Sequence, residues 1–355
     1  MTELVGHANQ WFAAGLSALL DAPRATSRGR AHRELLHVVT RVPDARRRVL
    51  TVPWRRANPF FQIAETVWLL AGSADAAWIL RYNQRLHAYL DPSATAFHGA
   101  YGARLRRSFG RDQLADVFAQ LQQDPGSRRA AVVLRDPARD NPDTPTLDQC
   151  CNIAATYTLR DGLLHAATFN RSNDYVLGLT FTNIAQFTTV QEFLASALGV
   201  TAGGYTHFST SLHVYDGDLV AMRLLSRADD PYRFDVYDYV KPIEMRPWRD
   251  KQEGWQAINA LYDGLPLPAS ACPYWRSVGA MLGAWEELQS GNLDGAVKSV
   301  AAQPADDWAI AGLEFLHRWA RRRHREAEFD QAMDDYADNR WPSAVYDYIV
   351  HDLAP

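Results

Sequence analysis

Between residues 152 and 215 the chain switches backbone period in a fixed order, and that order narrows the folds open to it. ATYTL and LLHAATF read as strands, and Arg160-Asp161-Gly162 between them supplies a hairpin turn. LTFTNIAQFTTVQEFLASALG (179–199) carries the spacing of a long helix, with Gly199 placed to close it. YTHFSTSLHVY (205–215) returns to strand. Strand–turn–strand–helix–strand fits an α+β, or mixed α/β, domain.

The rest of the chain extends this reading. Residues 8–21 predict an amphipathic helix, and RELLHVVTRV (33–42) and RRVLTVPW (47–54) predict strands. Asn58-Pro59 opens a strongly apolar helix that Gly72 ends, and a second helix is expected at about 75–90. GAYGARLR (99–106) is a Gly-flanked turn leading into a helix or extended piece. RDQLADVFAQLQQD (111–124) is helical, and RRAAVVLR (128–135) is a strand. After Tyr215, LVAMRLLS predicts a helix and DVYDYVKPIEM a strand. From about residue 246 only helical segments remain, among them WQAINALYDG, SVGAMLGAWEELQSGN, LDGAVKSVAA, DWAIAGLEFLHRWARRRH and FDQAMDDYADN. The expected division is a catalytic domain over 1–248 and a helical extension over 249–355.

Composition excludes several classes. With 47% hydrophobic and 22% charged residues, the chain has the balance of a soluble globular protein. A net charge of -4 gives no global basic field for long nucleic acid, so no direct nucleic-acid binding is expected. The local arginine clusters (Arg28, Arg30, Arg33; Arg46 to Arg48; Arg128, Arg129) suit a small anion instead. Three cysteines are too few for a disulfide framework and point to a reducing compartment, the cytoplasm. No early apolar run reads as a signal peptide, and no run is long enough for a membrane span. The eleven tryptophans are expected in core and interface packing.

Cys150-Cys151 admits three readings: buried fillers, half a metal site, or a nucleophile with a bystander. No His-x-x-His partners the pair, so no metal is expected. The nucleophile reading gains from an ordered set around it. Arg171-Ser172-Asn173-Asp174 begins twenty positions on (171 minus 151), followed by Leu177-Gly178, a helix, and His213-x-Tyr215. Upstream stand Ser127-Arg128-Arg129, Tyr101 in GAYG, and Glu65 in an apolar helix, where a carboxylate needs a reason.

This set, over roughly residues 20–245, resembles the thymidylate synthase family, and within it the nucleotide hydroxymethylase branch. The resemblance implies the family's sheet packed with helices and a covalent mechanism. Cys151 would attack carbon 6 of a pyrimidine nucleoside monophosphate, and carbon 5 would then take a one-carbon unit from 5,10-methylenetetrahydrofolate. Only Cys151, not Cys150, keeps the spacing to Arg171. Glu65 would manage protons, Tyr101 would stand beside the cysteine, and Asp174 would contact folate. Arg171 and Ser172 match the phosphate-binding pair, and Arg171 would also lower the cysteine pKa. Arg28 is the candidate mobile phosphate arginine, with Arg30 its rival. Arg128 and Arg129 match arginines that reach into a neighbouring subunit's site, which implies a homodimer. His213 and Tyr215 match the residues holding the sugar, and Asn183 the residue reading the base.

Four departures from the family pattern bear on the product. Asn152 follows the cysteine, the base-reading stretch Phe181-Thr182-Asn183-Ile184 is one residue longer than usual, a tryptophan segment before GAYG is absent, and the chain runs on for about a hundred residues where a short closing tail is usual. The last two suggest that water reaches the exocyclic methylene intermediate. A 5-hydroxymethyl product is therefore expected ahead of a true thymidylate synthase, with an idle binding or scaffold relative as the third reading. Uracil or cytosine, and ribose or deoxyribose, stay open at this point.

Overall fold

The computed structural model describes residues 2–52, 55–219, 235–250, 252–334, 336 and 341–349. A mixed sheet runs in the order β1 (Glu3–Val5), β3 (Arg30–Val42), β8 (Thr201–Tyr215), β6 (Leu163–Asn170), β5 (Asn152–Arg160), β4 (Ala131–Val133). In addition, β2 (Arg24–Ser27) forms a hairpin with β3, and β7 (Asn173–Asp174) pairs with β8. This is the expected α+β architecture. The two hairpins close through two-residue turns with positive φ, Arg28-Gly29 at 50° and 72° and Asp161-Gly162 at 51° and 74°. That twist suits right-handed strands.

β6 and β8 are parallel, so the chain must cross over between them, and α6 (Ile184–Leu198) supplies the crossover. Gly199 ends it in the left-handed conformation, φ 71°. α6 is buried over Ile184 to Ser196, as a helix covered on both sides must be. The elements before it are α1 (Ala8–Leu20), α2 (Pro59–Leu70), α3 (Ala76–Leu80), α4 (Tyr101–Arg106) and α5 (Gln113–Gln123). α2 starts where Asn58 accepts the Phe61 N–H at 3.2 Å and Pro59 occupies the first turn.

The later helices are α7 (Glu253–Asp263), α8 (Pro273–Gln289), α9 (Leu293–Ala301), α10 (Asp307–Arg321), α11 (Glu326–Asp334) and α12 (Ser343–Asp347). They share one continuous hydrophobic core with α2 and α6. Much of the seam is aromatic. Phe60 meets Trp285 and Phe315 at 5.7 and 5.4 Å, Trp78 stacks on Tyr262 at 5.1 Å, and Phe193 is ringed by Trp248, Trp255 and Trp275 at 4.8, 4.5 and 6.0 Å. A polar chain crosses the same seam. Arg48 is fully buried, pairs with Glu192 and donates to Thr189 Oγ1 at 2.8 Å; Glu192 Oε1 accepts the Met245 N–H at 2.9 Å. Tyr237 donates to Asp307 Oδ2 at 3.0 Å and accepts the Val49 N–H at 2.8 Å.

Four local expectations change. Residues 47–52 form no strand: the Val49 and Thr51 N–H groups go to Tyr237 and Asn9 side chains instead of a ladder, and Pro53 and Trp54 lie outside the described residues. The helix expected at 75–90 is α3 followed by a 3₁₀ turn, Gln84–Tyr89, because Asn83 caps a fresh start by accepting the Arg85 N–H at 3.1 Å. The helix expected over 179–199 begins earlier, as a π-helical stretch at Tyr175–Asn183, and becomes α-helical only at Ile184. DVYDYVKPIEM holds a 3₁₀ turn at Val236–Asp238 and no strand. Beyond Leu219, LVAMRLLS lies outside the described residues, as does part of FDQAMDDYADN.

Candidate active site

Asn152 pairs with Asn170 across the β5–β6 hairpin, so the residues just outside that pair are brought together. These are Cys151 and Arg171, and their twenty-residue spacing is the length of the hairpin. The Arg171 backbone N–H donates to Cys151 O at 3.0 Å, and its guanidinium grips Cys150 O and Gln149 O, each at 3.0 Å. Cys150 is 1% exposed and its thiol donates to Asn152 O at 3.0 Å. Cys151 is only partly buried, and its Sγ lies 3.7 Å from Gln149 O. Burial pushes the Cys151 thiol pKa up; the charges of Arg171 and Arg28 pull it down without reversing that. The expected lowering by Arg171 is thus one contribution, outweighed by loss of water.

Glu65 lies on α2, where burial and the nearby charge of Asp148 push its pKa up to about 8. Its Oε2 is buried with no hydrogen-bond partner among the described residues. Tyr101 opens α4, packs on Phe187 at 5.7 Å, and stands within reach of the charges of Cys151 and Asp148. Asp148 accepts the Gly99 N–H at 2.9 Å.

The other candidate residues are placed by β8, β7 and the β2–β3 hairpin. Asp174 pairs with His213 in the β7–β8 register and caps the π-helical stretch by accepting the Val176 and Leu177 N–H groups at 2.7 and 3.0 Å. The His213 and Tyr215 rings meet at 5.2 Å, and His32 of β3 packs against both. Burial lowers the His213 pKa, and the charge of Asp174 opposes this. Arg30 lies over the Tyr215 ring at 3.6 Å, whereas Arg28 stands exposed at the hairpin tip with its charge reaching Cys151. Ser172 is partly buried between Arg171 and Asn173. Arg128 and Arg129 are exposed on the turn before the edge strand β4 and are not among the main charges acting on Cys151.

Asn183 is buried at the end of a polar chain. Its Nδ2 donates to Asn173 Oδ1 at 3.0 Å, and Asn173 Nδ2 donates to His207 Nε2 at 2.8 Å and to Ser209 Oγ at 3.2 Å. His207 Nδ1 lies 2.9 Å from Thr168 Oγ1 and 2.8 Å from Tyr205 OH. Burial lowers the His207 pKa to about 3, so the ring is neutral with its one proton on Nδ1 in this arrangement. Asn183 Oδ1 accepts a long hydrogen bond from Thr182 Oγ1 at 3.5 Å, so Asn183 keeps one N–H and one Oδ1 lone pair to offer a ligand.

Sequence reasoning missed Asp148, Asn173, His207 and Arg55. Arg55 lies over the Phe181 ring at 5.1 Å, donates to Val176 O, and feels the charges of Asp174 and Asp218; burial lowers its pKa to about 10. A charged residue three places before Cys151 was the available signal for Asp148; nothing in the local pattern marks the others.

One pH effect follows from Glu65. Its folded pKa of about 8 stands above the unfolded value of 4.5, so between these pH values the folded state binds more protons and loses stability as pH rises. Glu65→Gln removes this term. The melting temperature of the variant relative to the parent should climb from pH 5 to pH 8, as scanning calorimetry at several pH values will show.

Among the described residues no cluster of three or more His, Cys, Asp or Glu side chains is arranged to hold a metal, and no helix is long and apolar enough to cross a membrane. Comparison with known proteins finds that the thymidylate synthase profile matches residues 31–235. Deoxyuridylate hydroxymethyltransferase of Bacillus phage SP01 is 37% identical over 201 residues, 54% of this chain and 52% of the relative. The protein of that name from Pseudomonas phage M6 is 31% identical over 308 residues, 81% of this chain and 84% of the relative. That of Delftia phage PhiW-14 is 30% identical over 193 residues, 51% and 52%. The chain thus spans about half the length of the first and third of these relatives and most of the second.

Proposed function

Because the chain belongs to the thymidylate synthase family, we propose that it is a folate-dependent hydroxymethyltransferase acting on deoxyuridylate through Cys151. The observation that carries this reading is that the β5–β6 hairpin brings the partly buried Cys151 onto Arg171, which holds the backbone carbonyls of residues 149–151, while Glu65 keeps a buried oxygen without a partner among the described residues. The Cys151 thiolate adds to carbon 6 of the base, which makes carbon 5 electron-rich and able to take the one-carbon unit. Methylenetetrahydrofolate supplies that unit as co-substrate. Arg28, Arg128, Arg129, Arg171 and Ser172 would hold the phosphate, and His213 and Tyr215 the sugar. Tyr101 would position the base beside the thiol, Asp174 would contact folate, and Glu65 would hold and deliver a proton.

Uracil is favoured over cytosine for two reasons. Three similar proteins bear the name of a deoxyuridylate enzyme. The second Oδ1 lone pair and the remaining N–H of Asn183 form an acceptor–donor edge, which complements the N3–H and O4 of uracil. Asn183→Asp replaces that donor by an acceptor. The ratio of kcat/KM for dUMP to that for dCMP should fall about 10- to 100-fold, the loss of one or two buried hydrogen bonds; steady-state kinetics with both nucleotides checks it.

We propose a homodimer as well, and the open face of the sheet supports it. Val133, Thr156, Ala167, Phe169, Thr206 and Phe208 share that face, Val133 and Phe169 are 48% and 38% exposed, and Phe169 stacks on Phe208 at 4.8 Å. Apolar surface of this kind suits a second copy of the chain, and Arg128 and Arg129 beside it would enter the copy's site. Cys151→Ser and Arg129→Ala subunits, each inactive alone, should regain activity on mixing; a mixture as inactive as its parts would contradict the shared site. The free thiols Cys150, Cys151 and Cys272 accord with a reducing compartment, the cytoplasm.

The product assay tests the function as a whole. With methylenetetrahydrofolate and dUMP tritiated at carbon 5, tritium release without dihydrofolate absorbance supports hydroxymethylation. Dihydrofolate formed in step with tritium release would make the enzyme a thymidylate synthase, and no tritium release would leave an idle relative.

A further inference from the structure

The GAYG turn wraps a second carboxylate into the site. Gly99 donates its N–H to Asp148 Oδ2 at 2.9 Å, and a Cβ on Gly99 would lie 2.8 Å from Asp148 O and 2.9 Å from its Oδ1, so only glycine allows this approach. Two residues on, Tyr101 stands where the charges of Cys151 and Asp148 both reach it. Gly102 sits on the backbone of Leu69, where a Cβ would lie 2.4 Å from the carbonyl oxygen. Glu65 is one helical turn before Leu69 on the same face of α2, which aims it at this turn. Asp148, Glu65, Tyr101 and Cys151 therefore form one cluster. Asp148 Oδ1 accepts no hydrogen bond among those of the described residues.

Burial raises the proton affinity of both carboxyls, but only Asp148 has partners that oppose the shift. Glu65, with a pKa raised to about 8 by burial and by Asp148, keeps its proton at neutral pH. Asp148 is raised by burial too, but the Gly99 N–H and the charges of His98 and Arg104 pull it back. The Gly99 hydrogen bond and the nearby cations favour the ionised form of Asp148, which suits it to the base's part beside a protonated Glu65.

We propose that Asp148 is the base that takes the proton of the attacking water, an inference that rests on the hydroxymethyltransferase reading. Once tetrahydrofolate has left, carbon 5 carries an exocyclic methylene conjugated with the carbon 4 carbonyl, and carbon 6 is still bonded to Cys151. The water oxygen bonds to the methylene carbon, its proton goes to Asp148 Oδ1, and the electron pair of the methylene double bond moves to the carbon 4 oxygen. Collapse of that enolate re-forms the carbonyl, makes the carbon 5–carbon 6 double bond and expels the thiolate, which recovers a proton from Asp148. No oxidant or reductant enters, and tetrahydrofolate leaves unoxidised.

The test uses full-length Asp148→Asn with tritiated dUMP, methylenetetrahydrofolate and added β-mercaptoethanol, with products identified by mass spectrometry. The ratio of hydroxymethyl product to tritium released should fall at least tenfold, with the thioether of β-mercaptoethanol taking its place, and Asp148→Glu should recover part of that ratio. An unchanged ratio in Asp148→Asn, including one in which both quantities fall together, would overturn the proposal. If the parent enzyme instead makes thymidylate and dihydrofolate, it is the underlying reading that fails.

Discussion

Cys151→Ser is expected to cut tritium release from dUMP on the order of 10³-fold or more, whereas Cys150→Ser keeps turnover within a few-fold. The contrast comes from two adjacent residues facing opposite ways. The Cys150 thiol is sealed in the core, donates to a carbonyl, and has its pKa driven far up by burial. Cys151 is only partly buried, with Arg171 and Arg28 favouring its charged form. A serine at 151 keeps the shape but is a much weaker nucleophile toward a ring carbon. Initial-rate assays of both variants, with circular dichroism to show that each folds, give the answer. Retained turnover in Cys151→Ser would remove the covalent step from the account.

Glu192→Ala should destabilise the fold by about 3–5 kcal/mol, because it leaves a buried guanidinium without its partner. Arg48 and Glu192 are 2% and 3% exposed, and Glu192 also accepts the Met245 N–H at 2.9 Å on the way to the C-terminal helices. Both charges and that backbone donor are affected together. The double replacement Arg48→Met, Glu192→Leu removes the stranded charge and should cost markedly less than Glu192→Ala alone. Urea denaturation of the three proteins measures this, and a double variant no more stable than the single one would mean that the pair itself, not the stranded charge, supplies the stability.

The parts of the fold legible in the sequence are those fixed by local rules. The Asp161-Gly162 turn and the Gly199 stop need positive φ, and both positions adopt it. The spacing from Cys151 to Arg171 was readable because a hairpin converts a number of residues into a contact. What stayed hidden depends on distant partners. Residues 47–52 look like a strand, but Asn9 and Tyr237, far off in sequence, take their N–H groups. Arg28 and Arg30 could not be told apart until the Tyr215 ring was found beneath Arg30. Asn173 and His207 show no pattern of their own, and their bearing on Asn183 appears only when β8 and the segment after β6 come together. Asp148 lay in a Pro- and Asp-rich stretch read as loop, where its one mark was standing three places before Cys151.

The account turns on the fate of the one-carbon unit after the sulfur has added to the ring. Incubating the enzyme with dUMP and methylenetetrahydrofolate in water enriched in oxygen-18, then weighing the nucleotide product, reads that fate directly. The account predicts a 5-hydroxymethyl nucleotide carrying oxygen-18 in the new hydroxyl, with tetrahydrofolate released. A 5-methyl nucleotide without the label, together with dihydrofolate, would contradict it.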